Sequence, residues 1–257
     1  MIDTHSHIYS EEFDADRVEV IQRAREAGIT HIILPNCDSG TLTPMLALEA
    51  EYPGYCHAAI GLHPTSVKEN HLDELAIIES ELKRRNWIAV GEIGIDLYWD
   101  KTFLQEQIIV FQRQIDWALK YNLPVIIHVR DSFRETMNAL APYKNSGLRG
   151  VFHSFTGSFE EAEEIIAFGG FLLGINGIVT FKNSGLAAAV ARIDPKHIVL
   201  ETDAPYLTPA PYRGKRNETS YIGLVAKKLA EAYNCTAEEI DRLTTLNAES
   251  LFESLKN

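Results

Sequence analysis

Eight short apolar runs alternate with charged segments of helical period, which predicts an α/β fold: a single (β/α)8 TIM barrel over residues 1–257. Two further observations agree. The runs are continuously apolar and β-branched, as strands of a parallel sheet covered on its outer face should be. The length of 257 residues suits such a barrel, which runs to about 250 residues, and no Ser/Gly/Pro-rich linker divides the chain.

The strand candidates lie near 1–7, 31–36, 56–62, 87–93, 124–129, 149–154, 170–180 and 197–203. Helical spacing marks 14–27, 71–85, 103–121, 158–168 and 218–232 between them. Gly28 is placed to end the first helix, Ser158 to cap 159–168, and Gly169-Gly170 to end that segment. Thr236 followed by Glu239 reads as a capping box opening a final helix over 236–255. The connection 204–217 carries Pro205, Pro209 and Pro211, then Arg213, Gly214, Lys215 and Arg216. It is expected to be a rigidly bent, basic loop after the eighth strand.

Composition narrows the class. With 46% hydrophobic and 23% charged residues, 16 Gly and 10 Pro, the chain is neither disordered nor collagen-like. A chain of this size buries roughly three quarters of its unfolded surface and needs no disulfide staple. The net charge of −12 argues against general polyanion binding, since that affinity comes from Lys and Arg. It leaves room for a local basic rim, and metal ions would reverse the field of a carboxylate site. Cys37, Cys56 and Cys235 form no C-x-x-C pair and are expected to be reduced, small buried residues of a cytoplasmic protein. No leader and no membrane span is expected, because no apolar run approaches about 18 residues.

The chemistry sits at the strand ends. His5 and His7 end the first strand candidate, and residues i and i+2 of a strand share a face. Two imidazoles on one face make half of a metal site. Glu92 ends the fourth candidate, His128 the fifth, His153 the sixth and Asp203 the eighth. In a parallel barrel these carboxyl ends share one face, where such enzymes build their sites. A single histidine after an apolar run is ordinarily a satisfied core residue, and a single strand-end Asp a helix cap. Six such donors at five strand ends are hard to explain that way, since burying each unpaired costs about 1–3 kcal/mol even when neutral. A cation explains their convergence. The set has donors for two metals, and nitrogen and oxygen ligands without thiolate suit Zn²⁺, Mn²⁺, Fe²⁺ or Ni²⁺, Mg²⁺ less obviously.

Other residues stand beside this set. His63, in Gly61-Leu62-His63-Pro64, is a candidate substrate contact, and Asp96 and Glu201 are candidates to orient ligand histidines. Arg130 is placed to meet a phosphate or to pair with Asp131. Arg213, Lys215 and Arg216 are candidates for an anionic-substrate rim, or for a solvated loop. Tyr98, Trp99, Phe155, Tyr206 and Tyr212 follow strand ends, where bases stack or loops pack. No G-x-S-x-G elbow, phosphate loop or dinucleotide fingerprint competes.

These blocks resemble the TatD family of metal-dependent deoxyribonucleases, within the amidohydrolase-like TIM barrels. The resemblance runs from Ile2–His7 through Gly61–Pro64, Gly91–Asp96, Ile127–Arg130 and His153–Gly157 to Gly177–Lys182, Leu200–Pro205 and Arg213–Asn217, so it covers essentially the whole chain. Glu201-Thr202-Asp203-Ala204-Pro205 and Arg213-Gly214-Lys215-Arg216-Asn217 are its most specific parts. Family members often carry Glu-Pro after that Asn, where this chain has Glu218-Thr219; the departure touches a helix start.

The resemblance implies His5, His7 and Asp203 at one metal, His128 and His153 at the other, and Glu92 bridging them. It implies a 3′-to-5′ exonuclease of DNA preferring single strands, with RNA and D-aminoacyl-tRNA as alternative substrates. Two divalent ions (Mg²⁺, Mn²⁺, Zn²⁺ or similar) would activate water for in-line attack on a phosphodiester. Asp203 is then the expected general base, with Glu92, His63 and Arg130 completing the catalytic set. Competing expectations are hydrolysis of another ester or amide in the same pocket, and a non-catalytic metal- or nucleic-acid-binding barrel. The oligomeric state is left open.

Overall fold

A computed structural model describes residues 1–256. In chain order the strands and α-helices are β1 (Ile2–Asp3), α1 (Arg17–Glu26), β2 (His31–Leu34), α2 (Ser39–Glu51), β3 (Cys56–Ala58), α3 (His71–Leu82), β4 (Val90–Asp96), α4 (Leu104–Tyr121), β5 (Val125–Arg130), α5 (Phe133–Leu140), β6 (Gly150–Phe152), α6 (Phe159–Phe168), β7 (Phe171–Ile175), α7 (Leu186–Val190), β8 (Ile198–Leu200), α8 (Ile222–Tyr233) and α9 (Ala237–Leu251). All ladders are parallel, in two arcs, β1-β2-β3 and β4-β5-β6-β7-β8. Backbone bonds close the ring. Ile60 N–H reaches Ala89 O at 3.1 Å and Gly91 N–H reaches Ile60 O at 2.9 Å; Thr4 N–H reaches Leu200 O at 3.0 Å and His7 N–H reaches Ala204 O at 2.7 Å. The expected α/β barrel is the observed fold.

Packing explains which end carries the chemistry. Ile2, Ile33, Ala59, Ala89, Ile126, Val151 and Val199 cluster with Ala248, Leu251, Phe252 and Leu255, so the C-terminal helix plugs the floor of the barrel. A second and larger cluster lies between the strands and the surrounding helices. Two residues along from Ile126, Val151 and Val199 stand His128, His153 and Glu201, carried to the inner side by strand alternation. In β4 the register slips between Val90 and Ile93, which re-aims Glu92. Gly94, at φ +149°, admits the neighbouring strand, because a Cβ there would lie 2.0 Å from the His128 carbonyl oxygen.

Several expected boundaries move. The ladders stop at Asp3 and Leu200, short of residues 7 and 203, because the chain ends splay at the mouth and bond individually to their neighbours. The run 170–180 is strand only to Ile175. Asn176 then accepts the Ile178 N–H at 3.1 Å and opens a 3-10 turn, Gly177–Thr180, pressed against the Leu207 carbonyl. Ser158 and Glu161 form the full capping box, but Thr236 makes a single bond, accepting the Glu239 N–H at 3.2 Å. Gly28 ends the first helix at φ +80°, as expected. Of the cysteines only Cys56 is buried; Cys37 and Cys235 are partly exposed. Among the described residues no helix is long and apolar enough to cross a membrane.

Candidate metal centre

Glu92 is the hub of the barrel mouth. It is 2% exposed, and five imidazoles lie within 4 Å of its carboxylate. Oε1 faces His128 Nδ1 at 2.8 Å, His63 Nε2 at 3.4 Å and His153 Nε2 at 3.8 Å. Oε2 faces His5 Nε2 at 3.1 Å and His7 Nε2 at 3.7 Å. Asp203 Oδ1 lies 3.8 and 3.6 Å from His5 and His7, and its Oδ2 lies 3.8 Å from His153 Nε2. All six expected donors therefore converge, with His63 beside them. Burial opposes the charge on Glu92, yet the surrounding imidazoles hold its carboxyl well below the usual range.

The local backbone decides what each imidazole offers. Tyr9 donates its hydroxyl proton to Pro35 O at 2.7 Å, so His7 Nδ1, 2.9 Å away, must donate to Tyr9. That leaves the His7 Nε2 lone pair facing the centre. His63 is set the other way. Its Nδ1 accepts the Thr65 N–H at 3.1 Å, so its proton sits on Nε2 and points inward. His128 Nε2 donates to Asp96 Oδ2 at 2.9 Å and its Nδ1 donates to Glu92 Oε1 at 2.8 Å, so without a cation both nitrogens are engaged by carboxylates. His153 Nδ1 lies 3.0 Å from Glu201 Oε1. Both Asp96 and Glu201 thus stand where ligand-orienting groups were expected, and Glu201 also accepts the Ser154 N–H at 2.6 Å.

Burial holds His5 well below its ordinary value and His7 down at about 4; His63 is lowered for the same reason. For His128, burial is outweighed by hydrogen bonds to Asp96 and Glu92, and its value rises. For His153 burial is likewise outweighed, by Glu201, Glu92 and Asp203, and it is pushed up to about 10. Burial, opposed by His153 and reinforced by Glu92 and Glu201, lifts Asp203 to about 7. The Nε2 atoms of His5 and His7 lie 3.1 Å apart, and with the His7 proton on Nδ1 the His7 Nε2 lone pair is open to a cation. His5 Nδ1 is itself buried without a partner. The donor set accommodates divalent metal.

Asp203 leaves the strand in the left-handed region at φ +56°, which Asp tolerates better than most residues, and its N–H donates to His5 O at 2.9 Å. Asn217 fixes the returning loop, donating to Thr202 O at 2.8 Å and Tyr206 O at 2.7 Å. Arg216 does not join an anionic rim. It forks onto Asp16 at 2.8 and 2.7 Å and covers Phe13, while Arg213 and Lys215 remain exposed. Phe155 is 6% exposed and lines a cavity of about 450 Å³ beside His153 instead of the rim.

Sequence reasoning missed Tyr9, Cys37 and Asp3. The i, i+2 alternation used for His5 and His7 extends one step to Tyr9 and would have found it. Cys37 Sγ lies 3.7 Å from Tyr9 Oη and 3.8 Å from His7 Nδ1, and burial raises the thiol, so it stays protonated. Asp3, fully buried, accepts the Thr202 N–H at 2.9 Å and the Thr202 hydroxyl at 2.6 Å, and burial lifts it to about 7 despite these bonds.

A closed parallel barrel whose carboxyl face gathers imidazoles and carboxylates in this way defines a metal-dependent hydrolase. Comparison with known proteins narrows the class. The model of the family described as "TatD related DNase" matches residues 2–253. The chain is 39% identical over 253 residues to the "Uncharacterized metal-dependent hydrolase YabD" of Bacillus subtilis (strain 168), covering 98% of both. It is 32% identical to the "3'-5' ssDNA/RNA exonuclease TatD" of Dickeya dadantii (strain 3937), covering 98% of this chain and 97% of that one. The crystal structure of YjjV, a TatD homologue from Escherichia coli K12, superposes with a TM-score of 0.91 at 31% identity over 98% of each chain. The chain belongs to the TatD-related DNase family.

Proposed function

We propose that this protein hydrolyses phosphodiester bonds at the 3′ end of single-stranded nucleic acid, DNA first and RNA second, using two divalent ions. The observation that carries the reading is Glu92, whose Oε2 faces His5 and whose Oε1 faces His128, with His153 near both sides, so that the carboxylate could serve two cations. His5, His7 and Asp203 would hold one ion, and His128 with His153 the other. The relative named for single-stranded DNA and RNA supports the substrate class. Bound there, divalent ions lower the pKa of a water molecule and offset phosphate charge.

The chain's own residues supply the rest. Asp203, at 13% the most exposed carboxylate of the centre, is the group placed to take a proton from the attacking water. His63 turns its Nε2–H inward, as a donor to a phosphate oxygen. Arg130, exposed at the end of β5, neutralises charge from the rim. Asp96 holds His128 through Nε2, and Glu201 sets a negative charge 3.0 Å from His153 Nδ1, so that on loading His128 Nδ1 and His153 Nε2 are the nitrogens that would give up a proton to a cation. We read residues 1–257 as one such hydrolase unit acting in the cytoplasm.

A 5′-labelled DNA strand incubated with metal-free protein, then with Mg²⁺, Mn²⁺ or Zn²⁺, and with EDTA as control, tests this. A metal-dependent ladder shortening by single nucleotides is expected. No cleavage with any cation, alongside release of the amino acid from D-aminoacyl-tRNA, would replace the reading with a deacylase.

A further inference from the structure

Trp99 is 69% exposed, more than any other large apolar side chain among the described residues, and Tyr98 beside it is 54% exposed. Both stand just past the end of β4, where the chain turns over the barrel mouth. Two adjacent exposed rings at the mouth of the site offer flat apolar area to whatever enters it.

The two rings are held in place. Tyr98 and Trp99 both donate their backbone N–H groups to Asp96 Oδ1, at 3.0 and 3.2 Å. The other Asp96 oxygen is the one that meets His128 at 2.9 Å. One buried carboxylate therefore joins this rim to the centre. Leu97 N–H bonds Arg130 O at 2.9 Å, and Lys68 pins the far side of the loop through Asp100 at 3.1 Å. The rings meet edge to face, centroids 4.9 Å apart at 89°. The Arg130 guanidinium lies 3.9 Å from the Tyr98 ring centre and 5.5 Å from that of Trp99. Among the described residues no carboxylate pairs with that guanidinium, so its N–H edges stay free.

We infer that the exposed Trp99 ring is a stacking platform for one unpaired nucleobase of a single-stranded nucleic acid, with Tyr98 standing perpendicular beside it and Arg130 meeting the adjoining phosphate. This rests on the functional reading above and names a subsite for it. An aromatic face accepts any base, because every base has a π-face, and Arg held against a ring is the cation best suited to an adjacent phosphate. A base inside a duplex is already stacked on both sides and cannot take the platform without unpairing. The arrangement is thus a physical source of selectivity for frayed or single-stranded ends.

The test is binding of a fluorescent (dT)8 strand and of a fully abasic strand of equal length, by anisotropy in EDTA at low salt. Stacking of about 1–3 kcal/mol per base corresponds to roughly 5- to 150-fold in affinity. Wild-type protein should prefer (dT)8 over the abasic strand by about tenfold. Trp99→Ala should lose most of that preference while binding the abasic strand as wild type does, and Trp99→Phe should keep most of it. Equal loss on both strands, or an undiminished preference in Trp99→Ala, overturns the platform. Wild-type protein that cleaves (dT)8 yet binds the two strands equally also overturns the platform and spares the phosphodiesterase. Preference without cleavage under any cation does the reverse.

Discussion

Loading the centre with a divalent cation should release protons, and replacing Glu201 should reduce their number. His153 is 4% exposed, with Nδ1 3.0 Å from Glu201 and Nε2 3.8 Å from both Glu92 and Asp203. Burial works against its charge, but the three carboxylates prevail and carry it from 6.5 to about 10. A histidine raised in this way stabilises the metal-free fold below pH 6.5 and loses that contribution as pH climbs through about 10. At pH 8 the imidazole is almost wholly protonated, and Nε2 cannot serve a cation until the proton leaves. About one proton per chain should therefore appear from His153 alone, and affinity should rise about tenfold per pH unit below 10. Asp203, near 7, adds about half a proton at neutral pH. Glu201→Gln keeps an acceptor for the Ser154 N–H but removes the nearest charge, so release at pH 8 should fall and the pH dependence flatten. Calorimetric titration of chelator-treated protein with Mn²⁺ in two buffers of different ionisation enthalpy measures the count. Heats identical in both buffers, or equal release from wild type and Glu201→Gln, would refute the reasoning.

Asp203→Asn should retain metal yet lose about 10²–10⁴ in turnover, the range of a positioned base, in a single-turnover assay on labelled DNA. Tyr9→Phe removes the acceptor that fixes the His7 proton on Nδ1. It should weaken metal binding by about 10–100-fold in chelator competition, and lower the stability of the metal-free protein by about 1–3 kcal/mol through the unpaired Pro35 carbonyl and His7 N–H. Asp3→Asn should alter how stability depends on pH. A buried carboxyl raised to about 7 stabilises the fold at low pH and loses that stability as pH rises through 7. Urea unfolding of wild type and variant should therefore differ by about 2 kcal/mol more in the variant's favour at pH 8 than at pH 5.5.

How far the sequence was legible depended on the range of the forces involved. Strand-end donors were readable because barrel topology sends every carboxyl end to one face, so His5, Glu92, His128, His153 and Asp203 could be placed together without coordinates. Asp96 and Glu201 followed from spacing. Arg216 was misjudged because its partner, Asp16, lies 200 positions away, and nothing local signals a clasp of that reach. The helix α2 was not singled out, since Gly40, Thr41 and Pro44 blur its period; an Asp38–Thr41 capping box starts it all the same. The run to residue 180 looked like strand because Ile178 and Val179 are β-branched, yet Asn176 capping the turn overrode that propensity. Asp3 was hidden because its role is set by Thr202, across the seam where the ring closes.

The space above β7 belongs to a neighbour. A Cβ on Gly174 would lie 2.1 Å from Glu201 Oε2, so the absence of a side chain there is the mould into which that carboxylate is cast. A position with no functional group of its own thereby governs a histidine it does not touch. Variation at residue 174 would read as a silent change in any catalogue of acids, bases and ligands, while displacing the carboxylate that faces His153.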